Sequence, residues 1–209
     1  MEQKNISLAR KIFRIIKWAF LVLIGLYILL VIGRLIYRHN EAKTAEQVDK
    51  IHNTKLTMAD VMGENLPPDP GAEADKTVAG IDANQNGIRD DVELAIFKEY
   101  PNSAKTRAVL LQYALALQME VTQPMVNTTT VTEIVREQSR GFQCVGSILP
   151  NRGSDESFNK LNSFINFVKN KQLNTEERKK ERDFFVGNVR SYEDLENNYC
   201  DIDISKLPN

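Results

Sequence analysis

The sequence has few of the residues on which most enzyme active sites depend. It contains two cysteines, two histidines and one tryptophan in 209 residues, and both histidines, His39 and His52, lie in the N-terminal third of the chain. The motifs H-E-x-x-H, G-x-S-x-G, C-x-x-C and the phosphate-binding P-loop are missing. Because no known catalytic constellation is recognisable, we expect a noncatalytic protein.

An excess of charge of one sign is also missing. The chain has 27 Lys and Arg against 28 Asp and Glu, a net charge of -1. This balance gives no electrostatic reason to expect a nucleic-acid partner. The basic residues concentrate before and just after an apolar run near the N-terminus, so the remaining chain is mildly acidic.

That apolar run predicts a transmembrane helix at residues 18–37. Residues 18–33 carry no charged side chain, and the three residues that follow Arg34 extend the apolar length toward the ~20 residues that a span needs. Arg34 and Arg38 can reach the lipid headgroups. A cleaved signal peptide would show a small-residue cleavage site, which is not present here. A buried core helix is the other alternative, but the run lacks a polar face.

The flanking charges predict the orientation of this helix. More Lys and Arg residues precede the run than follow it closely, which favours a cytoplasmic N-terminus. We therefore expect a basic cytoplasmic segment at residues 1–17 and an extracytoplasmic domain after the membrane. The two cysteines, Cys144 and Cys200, lie in that domain, where an oxidising compartment favours a disulfide. Two buried free thiols are the alternative.

The pattern beyond the membrane predicts an all-α protein. Residues 38–62 read as a stalk helix, and residues 63–79 as a proline-rich linker, because three prolines between residues 67 and 70 forbid a regular helix. Residues 80–209 then predict a compact helical domain of about four to five helices. Ser103 is the expected N-cap of a central helix at residues 104–121, and capping boxes are expected at Thr130 and Asn174.

One segment carries the residues of a calcium loop. Counted from residue 82, oxygen-bearing side chains occupy the first, third, fifth, ninth and twelfth positions, a backbone carbonyl serves the seventh, and Gly87 stands at the sixth. Calcium prefers about six to eight oxygen ligands, and a glycine lets the backbone bend sharply around the ion. The expected ligands are Asp82, Asn84, Asn86, Ile88, Asp90 and Glu93.

Residues 82–93 resemble EF-hand-type loops and the calcium loops of dockerins and thrombospondin type 3 repeats. They differ at the eighth position, which usually holds a hydrophobic residue that pairs with a second loop and here is Arg89. A solitary structural loop is therefore expected. With two neutral amides in the ligand set, its affinity should lie near that of extracellular modules. A metal-free Asn-Gly turn ahead of a helix is the alternative.

Residues 66–101 resemble a recurrent segment of uncharacterised bacterial envelope proteins, in which a Pro-Pro-Asp-Pro-Gly lead precedes such a loop. The resemblance implies a bacterial inner-membrane protein with a periplasmic domain. We expect this domain to bind another protein, as an immunity protein or a component of an assembly. The alternative is a carboxylate-dependent hydrolase of envelope polymers, with Glu181 and Asp183 as the candidate acids.

Overall fold

The computed structural model describes residues 2–151, 153–193 and 198–208, with the side chains of residue 11 and of residues 13 onward within those ranges. The described residues form seven α-helices and no strand, so the expectation of an all-α protein is confirmed. The helices are α1 (Glu2–Asn53), α2 (Met58–Met62), α3 (Asp90–Glu99), α4 (Ala104–Thr122), α5 (Thr128–Ser147), α6 (Asp155–Gln172) and α7 (Glu176–Asn188).

Helix α1 contains the apolar run that the sequence assigns to the membrane. It is the one helix, among the described residues, that is long and apolar enough to cross a bilayer. None of the large apolar side chains between Phe13 and Tyr37 is buried against the protein. The alternative of a buried core helix is therefore wrong. In the predicted basic segment, residues 1–17, the side chains of residues 1–10 and 12 lie outside the part of the chain that the structure describes.

The chain divides into two compact units, Met1–Ala45 and Glu46–Asn209. The second unit begins earlier than the predicted boundary at residue 80. Most of the predicted stalk and all of the predicted linker belong to it, since it begins at Glu46. Three residues of the stalk, Ile51, Leu56 and Val61, are buried in its core. Residues 38–62 are also not one helix, since α1 ends at Asn53 and a short α2 follows.

The predicted linker is held in place by a buried arginine. Residues 71–75 form a 3₁₀ turn, and the fully buried Arg178 of α7 donates to the carbonyls of Ala74, Thr77 and Val78. It also donates to the Asp75 carboxylate, at 2.6 Å. A buried guanidinium with this many acceptors fixes the segment against α7, which a proline-rich composition alone does not reveal.

Helix α4 is the centre of the second unit, as its sequence predicts. Sixteen of its 19 residues are buried, and it packs against α2, α3, α5, α6 and α7. Ser103 caps it as expected, accepting from the backbone N–H of Thr106 at 3.1 Å. A helix that is apolar on nearly all sides is the one that other helices surround.

Two of the predicted helix starts are wrong. The N-cap of α5 is Asn127 and not Thr130, which instead occupies the third helical position and completes a capping box with Asn127. The N-cap of α7 is Thr175, which accepts from the backbone N–H of Arg178. Asn174 accepts from the side chains of Arg89 and Arg178 instead. In both cases the sequence offers neighbouring capping residues; Asn127 is selected by local hydrogen bonds, whereas Asn174 is drawn into a tertiary contact with Arg89.

Cys144 and Cys200 form a disulfide, with their Cα atoms 5.1 Å apart, and the alternative of two free thiols is wrong. Cys144 is buried on α5, so the bond ties the C-terminal segment to the helical core. The next residue, Asp201, accepts from Arg140 at 2.9 Å and from the backbone N–H of Leu56 at 3.2 Å. Disulfide and carboxylate together join the C-terminal segment to the residues that follow α1.

Candidate metal site

The first half of the loop is closed by a carboxylate and two left-handed residues. Asp82 accepts from the backbone N–H groups of Asn86 at 3.1 Å and Gly87 at 2.9 Å. Gln85 and Gly87 have φ values of 58° and 84°, which reverse the chain sharply. A Cβ at Gly87 would also lie 2.7 Å from Leu115 of α4, so the loop and the central helix approach too closely for a side chain.

The second half of the loop leads into α3. Asp90 accepts from the backbone N–H of Ala83, at 3.0 and 3.2 Å from its two oxygens, and burial raises the pKa of its carboxyl. Ile88 is fully buried, and its backbone N–H donates to Asn86 Oδ1 at 2.9 Å. The side chain of Ile88 therefore anchors the loop in the core, which leaves only its carbonyl for the predicted role as a ligand.

Glu93 is the centre of the site. It lies on the first turn of α3, is 0% exposed, and its Oε2 accepts from the side-chain amides of Asn84 at 3.0 Å and Asn86 at 3.1 Å. Burial raises the pKa of this carboxyl to about 7. The other oxygen, Oε1, is buried without a hydrogen-bond partner, and so is Oδ1 of Asn84. Glu93 and Asn84 are in direct contact, and each has one buried oxygen without a hydrogen-bond donor. A bound cation would satisfy both oxygens.

The loop thus brings together three of the six predicted ligands, Asn84, Asn86 and Glu93. The carboxylates of Asp82 and Asp90 fold back onto backbone N–H groups. Among the described residues, no three His, Cys, Asp or Glu side chains converge closely enough to hold a metal ion. Amide donors take the place beside Glu93 that a cation would occupy. Oδ1 of Asn84 already lacks a hydrogen-bond partner, and a half-turn of the Asn86 amide would present its oxygen to the same place, so this ligand set is compatible with calcium.

Arg89 is the residue that sequence reasoning read only as a departure from a pattern. It is fully buried, and its guanidinium forms a bidentate pair with Asp91, at 2.5 and 2.8 Å. It also donates to the carbonyls of Lys171 at 2.7 Å and Gln172 at 3.1 Å. These carbonyls end α6, where backbone oxygens lack helical partners. The loop is therefore fastened to α6 instead of to a second loop.

Gly80 makes room for this arginine. Its φ is 68°, and a Cβ there would lie 2.3 Å from Arg89 Cδ. Any side chain at this position would both strain the backbone and displace the arginine. The glycine that precedes the loop and the charge at the eighth position therefore belong to one arrangement.

The acids proposed for hydrolysis lie elsewhere. Asp183 is exposed on α7, and Glu181 is partly exposed on the same helix. The buried carboxylate of this region is Glu120 of α4, which accepts from Arg182 at 3.0 Å, and burial raises its pKa. An acid paired with an arginine does not provide the second free carboxylate that glycoside hydrolysis needs.

A groove separates α5 from α6 on the surface of the domain. Its volume is about 440 Å³, and its walls include two exposed aromatic side chains, Phe142 at 41% and Phe158 at 63% of their full exposure. Leu149 and Leu161 line it further, with Asp155 at the helix start. Exposed aromatic rings around a concave apolar surface are typical of protein-binding sites.

Comparisons with known proteins do not assign the chain to a family. No protein-family model matches it, and no curated protein and no solved structure is significantly similar to it.

Proposed function

We propose that this chain is a membrane-anchored, noncatalytic envelope protein whose helical domain is stabilised by calcium in residues 82–93 and binds another protein. The observation that carries the proposal is the buried Glu93 with an unpartnered oxygen. An orphaned buried carboxylate oxygen costs about 1 to 3 kcal/mol or more unless a ligand satisfies it. A hard cation satisfies both Glu93 and the neighbouring Asn84 oxygen, and calcium accepts the amide and carbonyl oxygens that surround them.

The proposed location is the bacterial inner membrane, with the domain in the periplasm. Two features of the chain support it. The excess of basic residues before the apolar part of α1 favours a cytoplasmic N-terminus. The disulfide between Cys144 and Cys200 is stable in an oxidising compartment. The moderate affinity expected of the loop suits a compartment where calcium is not held at cytosolic levels.

The groove between α5 and α6 is the proposed contact surface for the partner. It combines aromatic anchors with a polar edge at Asp155, Ser157 and Gln143. Apolar pockets of this kind supply the few residues that dominate binding energy in protein interfaces. Either of two roles would use such a surface. The chain could be an immunity protein that binds a toxin, or it could be one subunit of a membrane assembly.

Calcium binding is tested by calorimetric titration of the full chain in detergent micelles. We expect a single site with a dissociation constant of about 10⁻⁴ to 10⁻³ M. Asp82→Ala should abolish the heat because the loop loses the carboxylate that accepts from Asn86 and Gly87 and closes its first half. Asp183→Ala, an exposed acid outside the loop, is the matched control and should bind as the wild type does. No binding by the wild type at millimolar calcium would refute the metal site.

Partner binding is tested by photocrosslinking in native bacterial membranes. A photoreactive residue at Phe158 should capture a defined protein, whereas the same residue at the exposed Glu99 on α3 should not. Equal crosslinking from both positions would contradict the proposal that the groove between α5 and α6 is a specific binding surface. Hydrolysis of envelope polymer by the full chain, lost in Glu181→Gln or Asp183→Asn, would replace the proposal with the hydrolase alternative.

A further inference from the structure

A second segment, remote in sequence from the loop, forms one wall of the site. Residues 57–65 contain α2 and the turn that follows it. Thr57 and Asp60 form a capping box at the start of α2, with Asp60 Oδ2 accepting from Thr57 N at 2.8 Å. Gly63 ends the helix with a φ of 78°, where a Cβ would lie 2.8 Å from the Phe97 ring of α3. The segment therefore packs directly on the helix that leaves the loop.

One hydrogen bond connects this segment to the loop itself. The side-chain amide of Asn84 donates to the backbone carbonyl of Asn65 at 2.9 Å. The same nitrogen also donates to Glu93 Oε2 at 3.0 Å. Asn84 thus divides its donors between the buried carboxylate and residues 57–65, while its own oxygen has no partner.

The oxygen of Asn84 links a bound cation to this hydrogen bond. Oδ1 of Asn84 and Oε1 of Glu93 are both buried without a hydrogen-bond partner. A cation bound to these two oxygens would fix the orientation of the Asn84 amide. The nitrogen of that amide would then stay directed at the Asn65 carbonyl, 2.9 Å away.

We propose that calcium in the loop clasps residues 57–65 to the domain through the hydrogen bond from Asn84 to the Asn65 carbonyl. This inference rests on the proposed calcium site. It gives the site control over how firmly residues 57–65 pack on α3, inside the helical unit that begins at Glu46. Loss of calcium loosens this segment before it unfolds the core.

The test is hydrogen–deuterium exchange of the full chain in micelles, in calcium and in a chelator. The amides to follow are those of Val61, Gly63 and Glu64, which are hydrogen-bonded within the segment. We expect their exchange to slow by about tenfold in calcium, since one well-formed hydrogen bond changes a local opening equilibrium by about that factor. The amides in the middle of α4 should change much less.

Two matched variants isolate the connection. Asn84→Asp removes the donor to Asn65, so the slowing in residues 57–65 should be lost at a calcium concentration that calorimetry shows to saturate this variant. Glu64→Gln, an exposed change within the segment and outside the ligand set, is the control and should keep both calcium binding and the slowing. Calorimetry on each variant measures calcium binding separately from the hydrogen exchange of residues 57–65.

The outcomes distinguish this inference from the proposed function. Calcium binding by the wild type without slower exchange in residues 57–65 would overturn the clasp alone. Full slowing in Asn84→Asp would overturn the route through Asn84. An absence of calcium binding by the wild type would overturn the metal site itself, and the clasp with it.

Discussion

Replacing Glu93 by glutamine should raise stability without calcium, and most or all of this advantage should disappear when calcium is present. The side chain is fully buried, and its pKa is about 7 in place of 4.5 because burial disfavours the charged form. At pH 8 the metal-free protein therefore holds a carboxylate where a neutral group is preferred. The substituted glutamine keeps the shape and an oxygen that accepts from Asn84 and Asn86, but it carries no charge.

The size of the effect follows from the pKa. Holding a carboxyl of pKa about 7 ionised, when its ordinary value is 4.5, costs about 3 to 4 kcal/mol at most. The glutamine that replaces it also buries a polar group, which leaves a gain of about 2 to 3 kcal/mol. In a chelator, Glu93→Gln should thus raise the melting temperature by about 4 to 10 °C for a domain of this size. Circular dichroism of the full chain in micelles measures it.

Calcium should narrow or close the stability difference between the wild type and Glu93→Gln. At 10 mM, an ion bound with a dissociation constant of about 10⁻⁴ to 10⁻³ M stabilises the folded state by about 1.4 to 2.7 kcal/mol. The wild type gains this, whereas Glu93→Gln has lost the carboxylate ligand. Glu99→Gln, an exposed change on the same helix, is the control and should follow the wild type. A lower melting point of Glu93→Gln in chelator, or equal gains from calcium, would refute the reasoning.

Three further predictions concern pH, the buried arginine and the disulfide. In chelator, the contribution of Glu93 to the free energy of unfolding should be most favourable below pH 4.5 and fall as the pH rises toward 7, because its folded pKa lies above the unfolded one; urea titrations across this range should show no such fall in Glu93→Gln. Arg89→Met should lower the free energy of unfolding by about 3 kcal/mol, because the carbonyls at the end of α6 lose their donor. Gly80→Ala should lower it by at least about 2 kcal/mol, because the new methyl group collides with Arg89. Urea midpoints within error of the wild type would contradict the role of the arginine. Reduction of the disulfide, which joins residues 56 apart, should cost about 4 kcal/mol, and a melting temperature that a reductant leaves unchanged would count against its contribution.

Features that depend on nearby residues could be predicted from the sequence. The apolar run in α1, the burial of α4 and the cap at Ser103 each follow from a local pattern. The loop is similar, because Gly87 and Asp82 perform their roles within six residues of each other. For the cap and the loop, the partners of each side chain lie within a few residues; for α1 and α4, the apolar composition of the helix itself is informative.

Features that depend on distant residues could not be predicted. The linker reads as a spacer because its prolines prevent a helix, yet Arg178, about a hundred positions away, supplies the bonds that fix it. The stalk has apolar residues at helical spacing, but only the folded unit shows that Ile51 is fully buried. The spacing of apolar residues shows which face of a helix is buried, but it does not show which part of the protein that face packs against.

The position of Arg89 explains how a solitary loop can be stable. In a paired loop, a hydrophobic eighth residue packs against its counterpart, so each loop needs the other. Here the guanidinium meets the carbonyl end of α6, where the helix dipole is negative and backbone oxygens lack partners. Asp91 balances the remaining charge. The loop thereby obtains from a helix end the support that a second loop would give, and the residue that breaks the familiar pattern is the one that makes a single loop sufficient.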